Sequence, residues 1–526
     1  MKSLSRFSLC VALLCLAGNL PAEETIPIYE GLGTFHRETG TASETAQAYF
    51  DQGMMLAYAF GRREAVESFR ACRDLDPEAA MCAWGEAWAL GPYQNGRMDD
   101  DAAGEAYAAI QAAVGLAEGA SPVEQALIEA MATRYAEDPA SVDRDELDQA
   151  YAEAMREVAG SYPDDHDVQS LFAESLTVLH PWDLYPDGEP RPEAVEAIGV
   201  LEKVLSKDLR HAGACHLYIH AVEPSDDPHR AEACADVLTE QIPLGSHIQH
   251  MPSHIYMRIG RYGDAVRANQ EAYLVDQMSD HDKAVAIYRR HNVRMMWFAA
   301  WMDGQSFVAL EAARTVTRQR PGRSFDVPQT LARFGRWDEL RERGKPPKQP
   351  LPAAIWHFAR GLALLRGDDP GGAAGQLRKV AKIRDRMDPA VTFRPGRDDG
   401  PIDLVRIAYG ILAGEIAAAE GDVDRATSEL LAAIVVEDGL GYSEPELWAI
   451  PVRQVLGAIL LEAGEAERAQ ALYEEELERH PENGWSLFGL AQSLRAQGAE
   501  ERAAAVKARF EAAWARSDVR LFSSRF

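Results

Sequence analysis

The chain has 526 residues, and 83 acidic against 54 basic side chains give it a formal net charge of −29. This balance argues against nucleic acid as a partner, because nucleic-acid binding depends on clustered Lys and Arg. No membrane span is expected either, since beyond the N-terminus no stretch of about 20 residues is free of charges.

Residues 1–22 have the plan of a secretory signal peptide. Lys2 and Arg6 precede an apolar run from Leu9 to Leu16, and a segment of mostly small residues ends at Ala22. The run is too short to span a membrane, so the pattern predicts removal of 1–22 and a soluble protein that is periplasmic or secreted. Its removal would take away two cations and no acid, which brings the formal charge to about −31.

Four cysteines follow this segment, at Cys72, Cys82, Cys215 and Cys234. In an oxidising compartment the local pairs Cys72–Cys82 and Cys215–Cys234 can form disulfides. Four cysteines allow three pairings, and the sequence alone does not choose among them. None of the four belongs to a CxxC pair, so a thiolate zinc site or a redox motif is not expected.

A repeat of 34 residues is visible near the C-terminus, and it has the period of tetratricopeptide repeats (TPRs). The repeated positions are Leu456, Gly457, Leu460, Gly464 and Ala469, followed by Leu490, Ala491, Leu494, Gly498 and Ala503. Near the other end the same order of large, small, large, Ala, aromatic and Pro occurs at Tyr49, Gly53, Leu56, Ala65, Phe69 and Pro77. Apolar residues recur at spacings of three and four throughout, which predicts an all-α, TPR-type α-solenoid of antiparallel helix pairs.

The repeats divide into two runs at a stretch rich in Pro and Gly. Residues 23–342 are predicted to form N-terminal and central TPR-like repeats, 343–352 a linker, and 353–526 the C-terminal TPR repeats.

Histidines are concentrated between His211 and Met257, which hold seven of the fourteen in the chain. His216, His220 and Glu223 follow H-x3-H-x2-E, and a second set, His247, His250 and His254, follows H-x2-H-x3-H. Both spacings place side chains on one face of a helix. Glu223 lies about 10 Å along the axis from His216, too far to share one ion with it.

The chain, including its histidine segments, resembles a family of exported bacterial TPR proteins of largely unassigned function. The resemblance is carried by residues 31–36 (GLGTFH), 216–223 (HLYIHAVE), 250–256 (HMPSHIY), 291–292 (HN), 442–453 and 483–490. It implies the TPR fold and brings no established reaction. The family pattern often has a second histidine three residues after His291, where this chain has Arg294.

The repeat register predicts units that start near Ala212, Ser246 and Arg290, so the histidines fall at matching positions of three successive first helices. The resemblance implies that such positions line the concave groove. Because packed helices lie about 8–10 Å apart, imidazoles of neighbouring helices can converge on one ion. The predicted metal ligands are His216, His220, His250 and His254, with Glu223, His247 and His291 as further ligands or as supporting groups.

Four other residues are relevant to the predicted site. Pro252 can make its helix start late, which would leave His247 and His250 in a loop over the cavity. Arg294, Trp301 and His180 are predicted to line the ligand groove, with core packing as the alternative for Trp301 and a helix-terminal role as the alternative for His180.

A set of imidazoles and carboxylates without thiolate suits Zn, Cu or Fe, and the sequence does not decide which. The chain has no HExxH, GxSxG, Walker or GxGxxG motif. The predicted function is a binding or scaffold protein that holds a metal ion, a small ligand or a peptide in its groove. A metal-dependent enzyme is one alternative, and the other is a chaperone-like peptide binder without metal, in which Arg294 and the histidines hold a carboxylate.

Overall fold

The computed structural model describes residues 26–98, 101–279, 285–342, 344–394 and 397–526, and the predicted signal peptide lies outside these ranges. The regular structure of the described residues is helical, with only isolated bridges between Tyr93 and Gly96 and between Gly245 and Val285. No helix among them is long and apolar enough to cross a membrane.

The helices follow one another along the chain with short connections. Those of the first half are α1 (Glu44–Tyr58), α2 (Arg62–Leu75), α3 (Ala80–Leu90), α4 (Ala102–Leu116), α5 (Pro122–Ala132), α6 (Arg144–Ser161), α7 (His166–Val178), α8 (Pro192–Lys207), α9 (Ala212–Val222), α10 (Glu232–Leu238), α11 (Ser246–His250), α12 (Pro252–Arg258) and α13 (Tyr262–Met278). Those of the second half are α14 (Arg289–Met302), α15 (Ser306–Gln319), α16 (Asp326–Arg333), α17 (Trp337–Glu342), α18 (Pro350–Leu365), α19 (Pro370–Arg384), α20 (Pro401–Ala419), α21 (Val423–Asp438), α22 (Val452–Glu462), α23 (Ala466–Arg479), α24 (Gly484–Ala496) and α25 (Glu500–Ala513).

Neighbouring helices pack as antiparallel hairpins, with α11 and α12 together taking the place of one first helix. The small residue of the repeat pattern allows this close packing, because a Cβ on Gly53 of α1 would lie 2.6 Å from the Phe69 ring of α2. Gly457 stands in the same relation to Tyr473, at 2.7 Å, in the pair α22 and α23. The predicted all-α, TPR-type solenoid is therefore confirmed.

The C-terminal pair and the tail that follows it pack back onto the central repeats. Arg516 donates to the carboxylate of Asp303 at 2.6 Å, and Asp518 accepts from the backbone N–H of Ser306 at 2.7 Å. The indole N–H of Trp485 donates to the carbonyl of Trp301 at 3.3 Å. The solenoid thus curls until its last repeat meets its middle.

The predicted linker at 343–352 overlaps the start of α18 at Pro350, and α18 packs against α16 and α17. The division of the chain at this point stays a prediction.

Of the four cysteines, Cys72 and Cys82 are joined in a disulfide. The thiols of Cys215 and Cys234 are both buried, with their sulfur atoms 2.6 Å apart.

Candidate metal centre

Helix α9 occupies the middle of the molecule and is buried on all sides. It packs against α1, α7, α8 and α10, and its sequence AGACHLYIHAV is apolar except for the two histidines. A helix with this composition belongs in a core, so His216 and His220 are buried along with the apolar residues. Glu223 caps its C-terminal end.

The following first helices carry the other histidines, at matching positions. The helices α9 and α11 begin at the predicted Ala212 and Ser246, and α14 begins at Arg289, one residue before the predicted start. The repeat register was therefore sufficient to place three successive groups of histidines side by side.

The expectation that Pro252 would leave His247 and His250 in a loop is wrong. Both residues lie in α11, and Met251 keeps right-handed helical angles (φ −53°, ψ −39°) into α12. Pro252 is the first residue of α12, where a proline costs little because its missing N–H has no partner within that helix.

Six imidazoles meet as two groups of three. In the first triad (His216, His220 and His247) and in the second triad (His250, His254 and His291), one ligand atom per residue lies within 4.8 Å of the others. The triads adjoin, with ring centres 5.9 Å apart for His220 and His254 and 5.7 Å apart for His247 and His250. His216 and His291 lie at the two outer ends.

Protein acceptors hold the Nδ1 atoms of four of these rings. His216 Nδ1 lies 2.6 Å from the backbone carbonyl of Tyr58, and His250 Nδ1 lies 2.7 Å from Oδ1 of Asn269. The Asn269 amide donates its own N–H to the carbonyl of Ala265, which identifies Oδ1 as the acceptor. These partners place a proton on each Nδ1, so each Nε2 carries a free lone pair.

Glu223 performs the same task for one ring of each triad. Its Oε1 lies 3.0 Å from His220 Nδ1, and its Oε2 lies 2.6 Å from His254 Nδ1. Glu444 adds a second carboxylate oxygen 2.7 Å from His254 Nδ1. A nitrogen this close to two carboxylates carries a proton in the metal-free chain, and these three residues also form a third group that could hold an ion. Holding Nδ1–H in this way is how proteins orient imidazoles whose Nε2 binds a metal.

The Nε2 atoms consequently point at one another. His250 Nε2 and His254 Nε2 are 2.7 Å apart, and His216 Nε2 and His247 Nε2 are 3.1 Å apart. His220 Nε2 is buried and has no hydrogen-bond partner among the described residues, and the same is true of His247 Nδ1. Lone pairs at such distances repel unless a hydrogen atom or a metal ion lies between them.

Burial sets the charge state of most of the cluster. It is the main cause that lowers the pKa values of His216, His247 and His250 well below the ordinary value, and their mutual repulsion adds to it. Burial, with added repulsion from His254, also lowers the pKa of His220 and of His291 to about 3. Five of the six imidazoles are therefore neutral at pH 7, as metal binding requires.

His254 is the exception. Burial opposes its charged form, but the adjacent carboxylates of Glu223 and Glu444 outweigh burial and raise the pKa of His254 to about 10. Without a metal, this ring is the imidazolium that donates to His250 Nε2.

Glu444 was missed in the sequence. It lies in the connection between α21 and α22, beside Tyr442, whose hydroxyl donates to it. The only available signal was that 442–453 contributes to the family resemblance, and that segment alone does not identify which residue reaches the histidines.

Aromatic rings form the walls around the imidazoles. Phe60, in the turn between α1 and α2, stacks on His220 and on His247 with ring centres 5.5 Å away in each case. Tyr288 packs edge-on against His247 at 5.1 Å, and its hydroxyl lies 2.8 Å from that of Tyr93. The first triad thus sits in a low-dielectric surrounding.

A cavity of about 420 Å³ reaches the second triad from the side of the α21–α22 connection. Its wall includes His254, Met257, Arg258, Phe298, Tyr442 and Glu444.

The three residues predicted to line the groove lie outside the two triads. Trp301 is fully buried in the core, with its ring centre 5.1 Å from that of Trp297. Arg294 faces Asp326 at 3.8 Å, and His180 is partly exposed beside Glu193 at 3.7 Å.

Searches against protein-family models and against curated proteins give no match. Among solved structures, a tetratricopeptide repeat protein from Parabacteroides merdae aligns with a TM-score of 0.32 and 11% identity, over 64% of this chain and 98% of its own. Human IFIT1, solved as a dimer with m7Gppp-AAAA, gives 0.30 and 11% over 90% of each chain. Yeast Tom70 gives 0.29 and 12% over 89% and 90%. The TPR-type fold is assigned from the packing of the helix pairs and not from these alignments. Solenoids of this type typically present concave surfaces that bind proteins.

Proposed function

We propose that the protein is an exported TPR-type scaffold that binds a transition metal in its histidine cluster. One observation carries the proposal: two adjoining triads of imidazoles each bring one ligand atom per residue within 4.8 Å, and His220 Nε2 and His247 Nδ1 are buried there without a hydrogen-bond partner among the described residues. A cluster with a purely structural role would pair these two nitrogens with protein donors or acceptors, because an unpaired buried polar atom costs about 1–3 kcal/mol.

Export is supported by the signal-peptide pattern of residues 1–22 and by the two pairs of adjacent cysteines, which suit an oxidising compartment. The ligand chemistry supports Zn, Cu or Fe over Mg or Ca, since imidazole nitrogen suits the former and oxygen ligands the latter.

Metal content tests this proposal directly. The mature chain, purified without a His-tag from cells grown with Zn, Cu and Fe, should contain metal in stoichiometric amount. His220→Ala combined with His254→Ala should remove it, and His229→Ala should not, because His229 is exposed and lies outside the cluster. Metal-free protein, or unchanged content in the double variant, would refute metal binding.

A metal-dependent enzyme is the second candidate, favoured by the cavity that reaches His254. Arg258 and the rings of Phe298 and Tyr442 suit a small anionic or aromatic molecule there. Azide, a small anion that binds Cu(II), should change the visible spectrum of protein loaded with Cu(II). Met257→Trp, which fills the cavity, should abolish that change at equal copper content. If azide has no effect, or if the variant responds like the parent, the cavity does not give access to the metal.

The peptide-binding alternative has less support, because five of the six imidazoles are almost completely buried. Under that alternative, Arg294→Ala would weaken partner capture while metal content stays near zero.

A further inference from the structure

The six imidazoles are more than one ion can use. A single transition metal in a structural site takes four ligands at about 2.0–2.1 Å, which places the ligand atoms about 3.3 Å from one another. Here the rings fall into two triads with no shared member, and His216 and His291 stand at opposite ends of the cluster. A single ion held by one triad would leave the three imidazoles of the other triad without a metal.

We propose that the cluster is a dinuclear centre, with one ion bound by His216, His220 and His247 and a second, adjacent ion bound by His250, His254 and His291. This inference rests on the proposed metal-binding function. It adds the number of ions per chain, the assignment of ligands to each ion and the identity of the metal. Each ion has three protein nitrogens, so each keeps one open coordination position.

Glu223 is the residue that couples the two triads. Its two oxygens contact His220 Nδ1 of the first triad at 3.0 Å and His254 Nδ1 of the second at 2.6 Å. One carboxylate thus orients a ligand of each ion and fixes the two rings relative to each other. If one triad held the only ion, the contact of Glu223 with the other triad would have no role in metal binding. Glu223 is a positioning residue, because its oxygens contact imidazole nitrogens on the sides away from the ions.

Ligand type and charge favour copper. Three neutral imidazoles per ion, with no thiolate and with the carboxylates held at Nδ1, suit copper and zinc among the common metals. The chamber also contains the two negative charges of Glu223 and Glu444 close to the rings. Two Cu(I) ions neutralise these charges, whereas two Zn(II) ions would leave a surplus of two positive charges in a buried space.

The experiment measures metal per chain in the full mature protein, titrated without oxygen with Cu(I) and separately with Zn(II), against a competing chelator. The expected result is two equivalents of Cu(I) in the parent protein, one in His216→Ala and one in His291→Ala. The matched control, His229→Ala, should keep two. Thermal melting verifies that each variant is folded. If His216→Ala is not folded, His247→Gln replaces it, because the amide is polar and of similar size.

Four outcomes would each overturn a named part of the proposal. One equivalent in the parent protein, lost in one triad variant and kept in the other, overturns the dinuclear centre while metal binding stands. One equivalent lost in both variants means a single ion shared by the triads and overturns it as well. Two equivalents of Zn(II) with no uptake of Cu(I) overturn the choice of copper. No uptake of either metal refutes the proposed function itself.

Discussion

His250 and His254 face each other through Nε2 atoms 2.7 Å apart, although both rings already have a protein acceptor at Nδ1. Two nitrogens can approach this closely only with a proton or a metal ion between them. In the metal-free chain this is the proton of His254, so metal and proton compete for one position.

Replacing Glu223 with Gln should weaken metal binding at both triads. The amide can accept one hydrogen bond through its oxygen, but it offers no second acceptor and no charge to His254. Residues that orient ligands in this way typically contribute 10–100-fold to metal affinity, and we expect a loss of about that size, measured by chelator competition. The control is Glu446→Gln, which removes a carboxylate 2.8 Å from His480, a histidine outside both triads. An affinity loss confined to one triad would contradict the coupling role of Glu223.

Metal affinity at the second triad should rise with pH between 7 and 9. Because the pKa of His254 is about 10, an ion must displace one proton from this ring, and affinity should increase about tenfold per pH unit. The increase should stop near pH 10, where the ring is already neutral. Calorimetric titration in buffers of different ionisation enthalpy measures the released proton. In Glu223→Gln the release should decrease, because one of the two carboxylates that hold the proton is gone.

The metal-free chain should lose stability in mild acid. Burial lowers the pKa values of five rings of the cluster, so these rings stay neutral in the folded state and take up protons on unfolding below about pH 6.5. They are His216, His220, His247, His250 and His291. The unfolded state then binds more protons, and the free energy of unfolding falls by about 1.4 kcal/mol per pH unit for each such group. The opposite sign applies to His254, whose stabilising contribution is complete below about pH 6.5 and is lost as pH rises toward 10.

Chemical denaturation at pH 7, 6 and 5 measures this slope. His247→Gln removes one of the five titrating groups of the cluster, so its slope should be smaller by about a fifth. A flat profile between pH 7 and 5 would show that the imidazoles are hydrated or protonated in the folded chain.

The native protein should contain two disulfides and no free thiol. Cys72 and Cys82 are bonded, and the sulfur atoms of Cys215 and Cys234 are already in contact on α9 and α10. A bond that closes a loop of this size typically contributes about 3 kcal/mol to the free energy of unfolding. Thiol counting in denaturant should find none in the parent protein and one in Cys234→Ser. Two free thiols in the parent protein would mean that Cys215 and Cys234 stay reduced.

The sequence was sufficient for the fold and for placing the histidines on neighbouring helices. The spacing of small, aromatic and Ala positions reports on how two helices pack within one repeat, and that geometry recurs from repeat to repeat, so Gly53 and Phe69 could be matched without a structure. The same register assigned His216, His250 and His291 to neighbouring helices.

The contacts that orient these rings could not be predicted in the same way. The acceptor for His216 is the carbonyl of Tyr58, 158 residues away, and Glu444 comes from a connection between two distant repeats. Such contacts depend on how tightly the whole array curls, which is the sum of many small rotations between repeats. The division into two triads also depends on this curvature.

The contact of Arg516 and Asp518 with the turn at Asp303 to Ser306 changes how the array should unfold. An open solenoid can fray repeat by repeat, because each unit interacts only with its neighbours. Here the last repeat is tied to the middle, so the central helices are released only when the C-terminal pairs detach. Hydrogen exchange should accordingly find α9 to α14 opening together with α24 and α25 as a single cooperative unit.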